Sequence, residues 1–174
     1  IALSNLFGVS MKGLTGEAST FINKMETLLG IDPTESMNNM ATIQSLTTSF
    51  GLASDKAYVL SKNLTQLGYD LASLKNIPVA ESFTKIQAAI SGELEPIRRL
   101  GVDISNARLQ QELLNLGYSQ SVSTLSQADK AVLRYIAIMK QTTDAQGDFA
   151  RTLSSPANMI RILQAQLNSL ARAV

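Results

Sequence analysis

The sequence predicts an all-α protein, and three observations support that prediction. The apolar residues are mostly Leu, Ile and Ala, while aromatic residues make up only 5% of the chain and Trp is absent. Apolar residues recur at helical spacing along most of the chain, and no long stretch alternates as a half-buried strand would. Glycines and prolines separate these periodic segments, as they do where helices begin and end. We therefore expect a compact bundle of about seven helices joined by short loops.

Composition bounds the possible functions of the chain. Its 174 residues contain no Cys and no His, which excludes a zinc site of the usual ligands and a Ser-His-Asp or Cys-His catalytic centre. The net charge of +1 gives no basis for electrostatic capture of nucleic acid or of an acidic membrane. Apolar runs stay short of the roughly eighteen residues that a membrane span needs. We accordingly predict no enzymatic activity, no cofactor or metal, no sequence-specific nucleic acid binding and no membrane contact in this segment.

The first 30 residues have the least regular pattern. Gly8, Gly13 and Gly16 interrupt the apolar spacing, and each would cost a helix interior about 1 kcal/mol. We predict a loosely helical N-terminal arm over residues 1–30, whose best-formed part is a helix over Glu17–Leu29.

A clear helix start follows Gly30. Asp32 can cap the helix, Pro33 suits its first position, and Glu35 completes a capping box. Gly51 is predicted to end this helix. The residues expected to form its buried face have helical spacing: Met37, Met40, Ile43, Leu46 and Phe50.

Ser54 is the predicted N-cap of the next helix, which runs from Asp55 to about Lys75. Its leucines alternate spacings of four and three residues: Leu60, Leu64, Leu67, Leu71 and Leu74. This seam spans only about two heptads, whereas a coiled coil needs three or four. Packing inside the protein is therefore the favoured interpretation.

Three further helices follow in the sequence. Pro78 opens the first, Gly92 ends it, and its apolar stripe is Val79, Phe83, Ile86 and Ile90. The second is short and spans about Leu94–Leu100. The third carries Leu109, Leu113 and Leu116, and Gly117 closes it. A polar link, Ser119–Thr124, leads to the next helix.

The most apolar helix is predicted to begin after Ser126. Ser126 can cap its first turn, and Asp129 places a carboxylate beside the positive end of the helix dipole. The run Ala131–Met139 is apolar on most sides, and only Lys130 and Arg134 mark a narrow polar edge. A helix that is apolar nearly all round is usually buried, so we expect this one to be the central element of the core.

A turn and a last helix complete the chain. Gly147 suits a left-handed position in that turn, and Phe149 offers an apolar anchor. Ser155 and Pro156 start an amphipathic helix without a stop signal, so we expect it to continue in a longer parent protein. Its apolar face is a candidate self-association surface, with docking on its own domain as the open alternative: Met159, Leu163, Leu167, Leu170 and Val174. The predicted organisation is an arm over 1–30, a helical module over 31–153 and a C-terminal amphipathic helix over 154–174 that leads out of the module.

Three segments of the chain resemble bacteriophage tail tape measure proteins. Tyr135–Val174 carries the family's T-x-D-A-x-G-D-F-A-R-T turn, between a helix and a long second helix. Ser91–Ser105, which reads SGELEPIRRLGVDIS, resembles the family's Gly-Glu-x-x-Pro-Leu-Arg-Arg-Leu-Gly-Ile block, and Phe50–Leu74 is a third match. The segments follow the family's order. There are two departures, since Met159 stands where a polar residue is expected and Gly68 interrupts a helix.

The resemblance implies a function. Tape measure proteins are long helical chains that set the length of the tail tube, lie in the lumen of the tube or tail tip, and leave during genome ejection. It implies synthesis in the cytoplasm of a bacterial host and, as partners, other copies of the chain in a trimer together with tail tube and tail-tip or baseplate proteins. A tape-measure-like component of a phage-tail-like bacteriocin and a generic helical scaffold remain alternatives. The family-motif residues, expected to be structural, are Gly92, Glu93, Pro96, Arg98, Arg99, Gly101, Asp144, Gly147, Asp148, Phe149, Arg151 and Thr152.

Two charged pairs near Pro96 could carry chemistry. Glu93 and Glu95 could form a hydrolase acid pair, although acids at a helix start usually interact favourably with the helix dipole. Arg98 and Arg99 could bind phosphate, but two adjacent arginines make a weak patch and salt bridges within the protein are favoured.

Two further groups have the same ambiguity. Asp144 and Asp148 could suggest calcium, but they lack the spacing of a calcium loop, so a turn tied by Asp148 and Arg151 is favoured. Three methionines could form an adaptable binding surface, with core filling as the default: Met25, Met37 and Met40.

Overall fold

A computed structural model describes residues 3, 21–23, 25–27 and 30–148 of the chain. Within these residues all regular structure is helical and no strand occurs, which confirms the all-α prediction. Residues 21–23 and 25–27 are helical. The longer helices are α1 (Pro33–Ser49), α2 (Ser54–Lys75), α3 (Val79–Ser91), α4 (Leu94–Arg98), α5 (Asn106–Asn115) and α6 (Gln127–Gln141), with a 3-10 turn at Val122–Thr124.

Several predictions concern residues outside this description. They include the final helix over 154–174 and its candidate self-association face, Met159, Leu163, Leu167, Leu170 and Val174. The motif residues Phe149, Arg151 and Thr152 also lie outside the described residues, as does most of the predicted arm. Leu3, which belongs to that arm, is fully buried, and its N–H donates to Asp129 Oδ1 at 3.0 Å.

Helix starts follow the capping rules at three of the predicted positions. Asp32 Oδ1 accepts from the Thr34 N–H at 3.0 Å, and Pro33 is the first residue of α1. Ser126 Oγ accepts from the Asp129 N–H at 3.1 Å at the start of α6. The prediction for α2 was wrong by one residue, because Ala53 takes the extended conformation of an N-cap and Ser54 is already helical. Consequently no side-chain hydrogen bond caps α2.

The longest helix, α2, packs against α1 and α3, and α3 in turn contacts α4 and α6. Twelve of the 22 residues of α2 are buried, including four of the five predicted seam leucines. The fifth, Leu74, lies in the last turn of α2 and is 36% exposed. The predicted central helix, α6, is indeed buried over Ala131–Leu133, Tyr135, Ala137 and Ile138, but it contacts α5 and α3 from one side of the core.

The buried face of α1 is rotated from the predicted one. Met40 and Ile43 are buried as predicted, but Met37 is 56% exposed. The same stripe contains two fully buried polar residues, Ser36 and Thr47. Their hydroxyls have partners, since Ser36 Oγ lies 3.3 Å from the Tyr69 hydroxyl of α2 and Thr47 Oγ1 donates to the Ile43 carbonyl at 2.9 Å. Burying a serine or threonine costs little free energy when its hydroxyl is hydrogen-bonded. The spacing of apolar residues alone therefore predicted the wrong buried face for α1.

Gly68 does not interrupt α2, which runs unbroken through it. The Phe83 ring of α3 lies where a side chain at residue 68 would be, and Ser82 Oγ donates to the Gly68 carbonyl at 2.7 Å. The glycine thus lets α3 approach the backbone of α2, and the predicted interruption was wrong for this reason.

Candidate functional site

The structure joins the three segments that carry the family resemblance. In the segment Phe50–Leu74, Asn63 Nδ2 donates to the Tyr135 hydroxyl of the segment Tyr135–Val174 at 2.7 Å. Asp70, also in Phe50–Leu74, accepts a hydrogen bond from Gly147 of Tyr135–Val174. The segment Ser91–Ser105 contacts Tyr135–Val174 through Asp103 and Gln141. The Gln141 side chain accepts from the Asp103 N–H at 2.9 Å and donates to the Asp103 carbonyl at 2.7 Å. The resembling segments therefore meet as parts of one folded unit.

Of these three contacts, the one between Asp70 and Gly147 includes a family-motif residue, Gly147. Asp70 is only 1% exposed, near the C-terminal end of α2. Its Oδ2 accepts from the Gly147 N–H at 3.0 Å, and Gln66 Nε2 lies 3.4 Å from the same oxygen. Gly147 has φ 86°, which confirms the predicted left-handed conformation. Asp70 was not among the predicted site residues, although an aspartate in an otherwise apolar stretch of helix could have indicated a polar contact.

A second motif position, Gly92, lies against an arginine of α6. Arg134 Nη1 donates to the Ile90 carbonyl at 3.0 Å, at the C-terminal end of α3. A Cβ placed on Gly92, whose φ is 102°, would lie 2.9 Å from Arg134 Nη2. Burial lowers the pKa of the Arg134 guanidinium, which nonetheless stays charged at neutral pH. Arg134, one of the two residues of the predicted polar edge of α6, therefore interacts with the C-terminal end of a helix, where cations are favoured.

A buried carboxylate also connects α5 to α6. Glu112 is 2% exposed, and its two oxygens accept from different cations. Arg108 Nε donates to Oε1 at 3.0 Å, and Lys140 Nζ donates to Oε2 at 2.7 Å. Burial alone would raise the pKa of Glu112, but these hydrogen bonds and charges outweigh it and hold the pKa below its ordinary value. The spacing of Arg108 and Glu112 is visible in the sequence, whereas their contact with Lys140 is not.

The candidate acids Glu93 and Glu95 lie on the surface, which agrees with the favoured interpretation that they are not a catalytic pair. Glu93 and Glu95 are both exposed, and Glu95 Oε1 accepts from Arg98 Nη1 at 2.7 Å across one helical turn. This contact agrees with the favoured interpretation of Arg98 as a salt-bridge residue. Arg99 is exposed, as is Gly101, whose φ of 84° suits the turn that follows α4.

The remaining candidates separate in the structure. Asp144 is exposed while Asp148 is 7% exposed, so the two aspartates occupy different environments. Across the described residues no cluster of acidic side chains could hold a metal ion. Met25 and Met40 are buried, which agrees with core filling, and only Met37 reaches the surface.

One open groove of about 630 Å³ runs along the outer side of α1. Its lining residues are small, polar or aliphatic, and none is charged: Asn38, Ala41, Thr42, Ser45, Leu46 and Ser49. Such a lining offers no general acid, general base or nucleophile with a partnering base. Within the described part of the chain, no helix has the length and apolar character required to cross a membrane.

Comparison with known proteins adds no assignment. No family model, no curated protein and no solved structure matches the chain.

Proposed function

We propose that this chain is a structural segment of a phage tail tape measure protein. The observation that carries the proposal is the set of contacts between the three resembling segments. Asn63 with Tyr135, Asp70 with Gly147, and Asp103 with Gln141 are polar pairs separated by 72, 77 and 38 residues. Motifs that occur in a fixed order and also contact one another favour a shared folded unit over three coincidental helical stretches.

Within such a protein, this segment would act as a docking or assembly unit and not as the ruler. A helix rises about 1.5 Å per residue, so an extended helical chain measures length in proportion to its residue count. The longest described helix has 22 residues and spans only about 33 Å, and the chain folds back at each end of it. A compact unit adds little length per residue but offers surfaces to which other proteins can bind. The partners proposed are other copies of the chain and the tail tube and tail-tip or baseplate proteins.

Mass spectrometry of purified particles tests this proposal. Particles would be isolated from bacteria that express the parent gene, before and after DNA ejection is triggered, and searched for peptides of this chain. We expect the peptides in intact particles and a strong loss of them, relative to tail tube peptides, after ejection. Particles that lack the peptides before ejection would contradict the proposal, and retention after ejection would contradict the released tape measure role.

The same preparation separates the alternatives. A phage-tail-like bacteriocin would contain these peptides in tails without heads and without DNA. A generic helical scaffold would leave them in the soluble cell fraction, away from any particle. The enzyme class is tested by incubating the 174-residue chain with purified bacterial cell wall. We expect no release of soluble fragments, because the candidate acids Glu93 and Glu95 are both exposed and Glu95 is paired with Arg98.

A further inference from the structure

The outer side of α1 exposes no charged side chain after its first turn. From Ser36 to Ser54 the chain contains no acidic or basic residue, although α1 is exposed to solvent along its length. By contrast, α3, α4 and α6 each expose charged side chains, among them Glu81, Arg98 and Lys140. Charged residues are depleted at the centres of protein interfaces, so the groove along the outer side of α1 is a candidate contact surface.

Two hydroxyl groups of this groove are hydrogen-bonded within α1 itself. Thr42 Oγ1 donates to the Asn38 carbonyl at 2.8 Å, and Ser49 Oγ donates to the Leu46 carbonyl. A hydroxyl has one hydrogen to donate, so neither group offers a donor to a molecule in the groove. The surface formed by Ala41, Thr42 and the half-buried Leu46 is therefore less polar than the residue types suggest.

The groove has the dimensions of a contact with a helix. Its lining residues recur every three or four positions from Asn38 to Ser49, so they form one side of α1 that is about three turns, or roughly 17 Å, long. Most of them are small, which lets the axis of a second helix come close to α1. A peptide strand would instead need the edge of a sheet, and the described residues contain no strand.

The absence of charge also restricts the chemistry of a partner. A strongly charged partner, such as nucleic acid or an acidic protein segment, would lose water in the groove without gaining a counter-charge. An uncharged apolar helix side loses little hydration there and gains from burial against Ala41 and Leu46. The groove therefore fits an uncharged helix better than any charged ligand.

We propose that the groove along α1 is the docking surface for an uncharged, apolar side of a helix in a partner protein. The inference rests on the proposed function, in which the partners are tail tube and tail-tip or baseplate proteins. A helix side of about three turns is small beside a standard interface, which buries roughly 1,600 Å² in total. The contact is accordingly weak alone and adds to other contacts in an assembled particle.

NMR titration of the isotope-labelled 174-residue chain tests the docking surface. The probes are the purified tail tube and tail-tip or baseplate proteins encoded beside the parent gene. We expect at least one of them to shift the amide signals of Ala41 and Ser45. Thr42→Lys should weaken this binding about tenfold or more, because it places a charge in the contact. The dissociation constant should change less than about twofold between roughly 50 and 500 mM NaCl, since no ion pair contributes.

Thr84→Lys is the matched control. Thr84 is also exposed and donates to the carbonyl of the residue four positions earlier, Ala80, at 2.9 Å, but it lies on α3 beside Glu81 and Lys85. Lysine has a higher helix propensity than threonine, so both lysine variants should fold, and Thr84→Lys should bind like the unchanged chain. Thr42→Val keeps the shape without the hydroxyl and should bind at least as tightly as the unchanged chain.

Several results would overturn the docking surface. They are equal weakening by the two lysine variants, loss of binding in Thr42→Val, and a steep dependence on salt. Shifts confined to residues outside α1 would overturn it while leaving the tape measure proposal in place. Binding by none of these proteins would also overturn it, and mass spectrometry of particles would still decide the tape measure role. Shifts of the α1 signals with the concentration of the chain alone would identify a second copy as the occupant and contradict the proposal.

Discussion

Gly68 lies in the middle of α2, where the ring of Phe83 from α3 occupies the space that a side chain would need. The ring is itself held, since it packs edge-on against Tyr69 with ring centroids 5.2 Å apart and is 3% exposed. Helix propensity alone favours alanine over glycine by about 1 kcal/mol. Overpacking a fixed core typically costs about 1–3 kcal/mol, so the two effects oppose each other.

We predict that Gly68→Ala lowers the free energy of unfolding by about 1–2 kcal/mol, because the ring cannot move away without losing its own contacts. Urea unfolding followed by circular dichroism measures the change. The double variant Gly68→Ala with Phe83→Leu makes room for the new methyl group and should lose less stability than the sum of the two single variants. A stabilised Gly68→Ala would show that propensity dominates at this position.

Gly92 and Gly117 form a natural pair for comparison. Both have positive φ, 102° and 93°, so alanine is strained at either position. At Gly117 nothing lies within 4 Å of an added Cβ, whereas at Gly92 the Arg134 guanidinium lies 2.9 Å away. Backbone strain is therefore common to both positions, and the steric contact belongs to Gly92 alone.

We expect Gly117→Ala to cost about 1 kcal/mol of unfolding free energy from strain, and Gly92→Ala to cost about 1 kcal/mol more. The extra cost comes from the displaced Arg134, which would lose its hydrogen bond to the Ile90 carbonyl. Thermal unfolding of the two variants, compared with the unchanged chain, provides the test. Equal losses would mean that Arg134 moves aside without cost.

The helices were predictable from the sequence because neighbouring residues determine where each helix begins and ends. Caps such as Asp32 and Ser126 act within one turn, and the periodicity of apolar residues identifies a helix wherever it packs. Errors arose where burial depends on the neighbouring helix, as for the exposed Met37 and the buried Ser36 opposite Tyr69. Periodicity indicates which residues share a face, but it does not say what covers that face.

The candidate site was less predictable for the same physical reason. Gly147 was recognised because a left-handed turn position favours glycine whatever surrounds it. Its partner Asp70 lies 77 residues away in the sequence, and no local rule connects the two. The contacts of Arg134 and Lys140 are likewise set by how α3 and α5 pack against α6.

Glu112 makes the contact between α5 and α6 dependent on pH. The pKa of Glu112 is lower in the folded protein than in the unfolded chain, so ionisation of Glu112 stabilises the folded state. The stabilisation is therefore fully present above the ordinary glutamate pKa, near 4.3, and is lost as the pH falls through the lower pKa of the folded state.

We predict that Glu112→Gln lowers the free energy of unfolding by about 1–2 kcal/mol at pH 7, less than for a fully buried pair because Lys140 is 48% exposed. The difference from the unchanged chain should shrink as the pH falls from 7 to about 3. Urea titrations across that range measure it, with Glu95→Gln in the exposed pair as the control. A difference that stays constant with pH would rule out the ionised carboxylate as its source.

At the scale of the whole molecule, local and distant contacts have different roles. Capped helices and short loops place neighbouring elements side by side, and one cluster of buried apolar side chains drawn from all of these helices holds them together. Polar pairs between distant segments, such as Asn63 with Tyr135, then select one arrangement of those helices. Among the described residues, the large apolar side chains that remain exposed are Met37, Leu74 and Leu114.

Self-association of the whole chain is a separate prediction, which comes from the sequence of residues 154–174 and from the family resemblance. We predict that the 174-residue chain forms a trimer in solution, joined by the apolar face that begins at Met159. An amphipathic helix gains stability when its apolar side is covered, and other copies of the same helix can cover it. Light scattering over a concentration series should give three times the 18.7 kDa mass of one chain. Leu163→Asp combined with Leu170→Asp should reduce this to one chain mass, because both charges fall inside the contact.

The matched control for that experiment is Leu114→Asp, which places the same charge on an apolar residue that is 50% exposed on α5. It should leave the trimer intact, since a charge on an already exposed side of the bundle removes no buried contact. A single-chain mass for the unchanged protein at every concentration would contradict the trimer. The apolar face would then cover the chain's own helices, and the proposed assembly role would depend on contacts with tail tube or tail-tip proteins. Dissociation by Leu114→Asp would instead place the contact between copies on the outer side of α5.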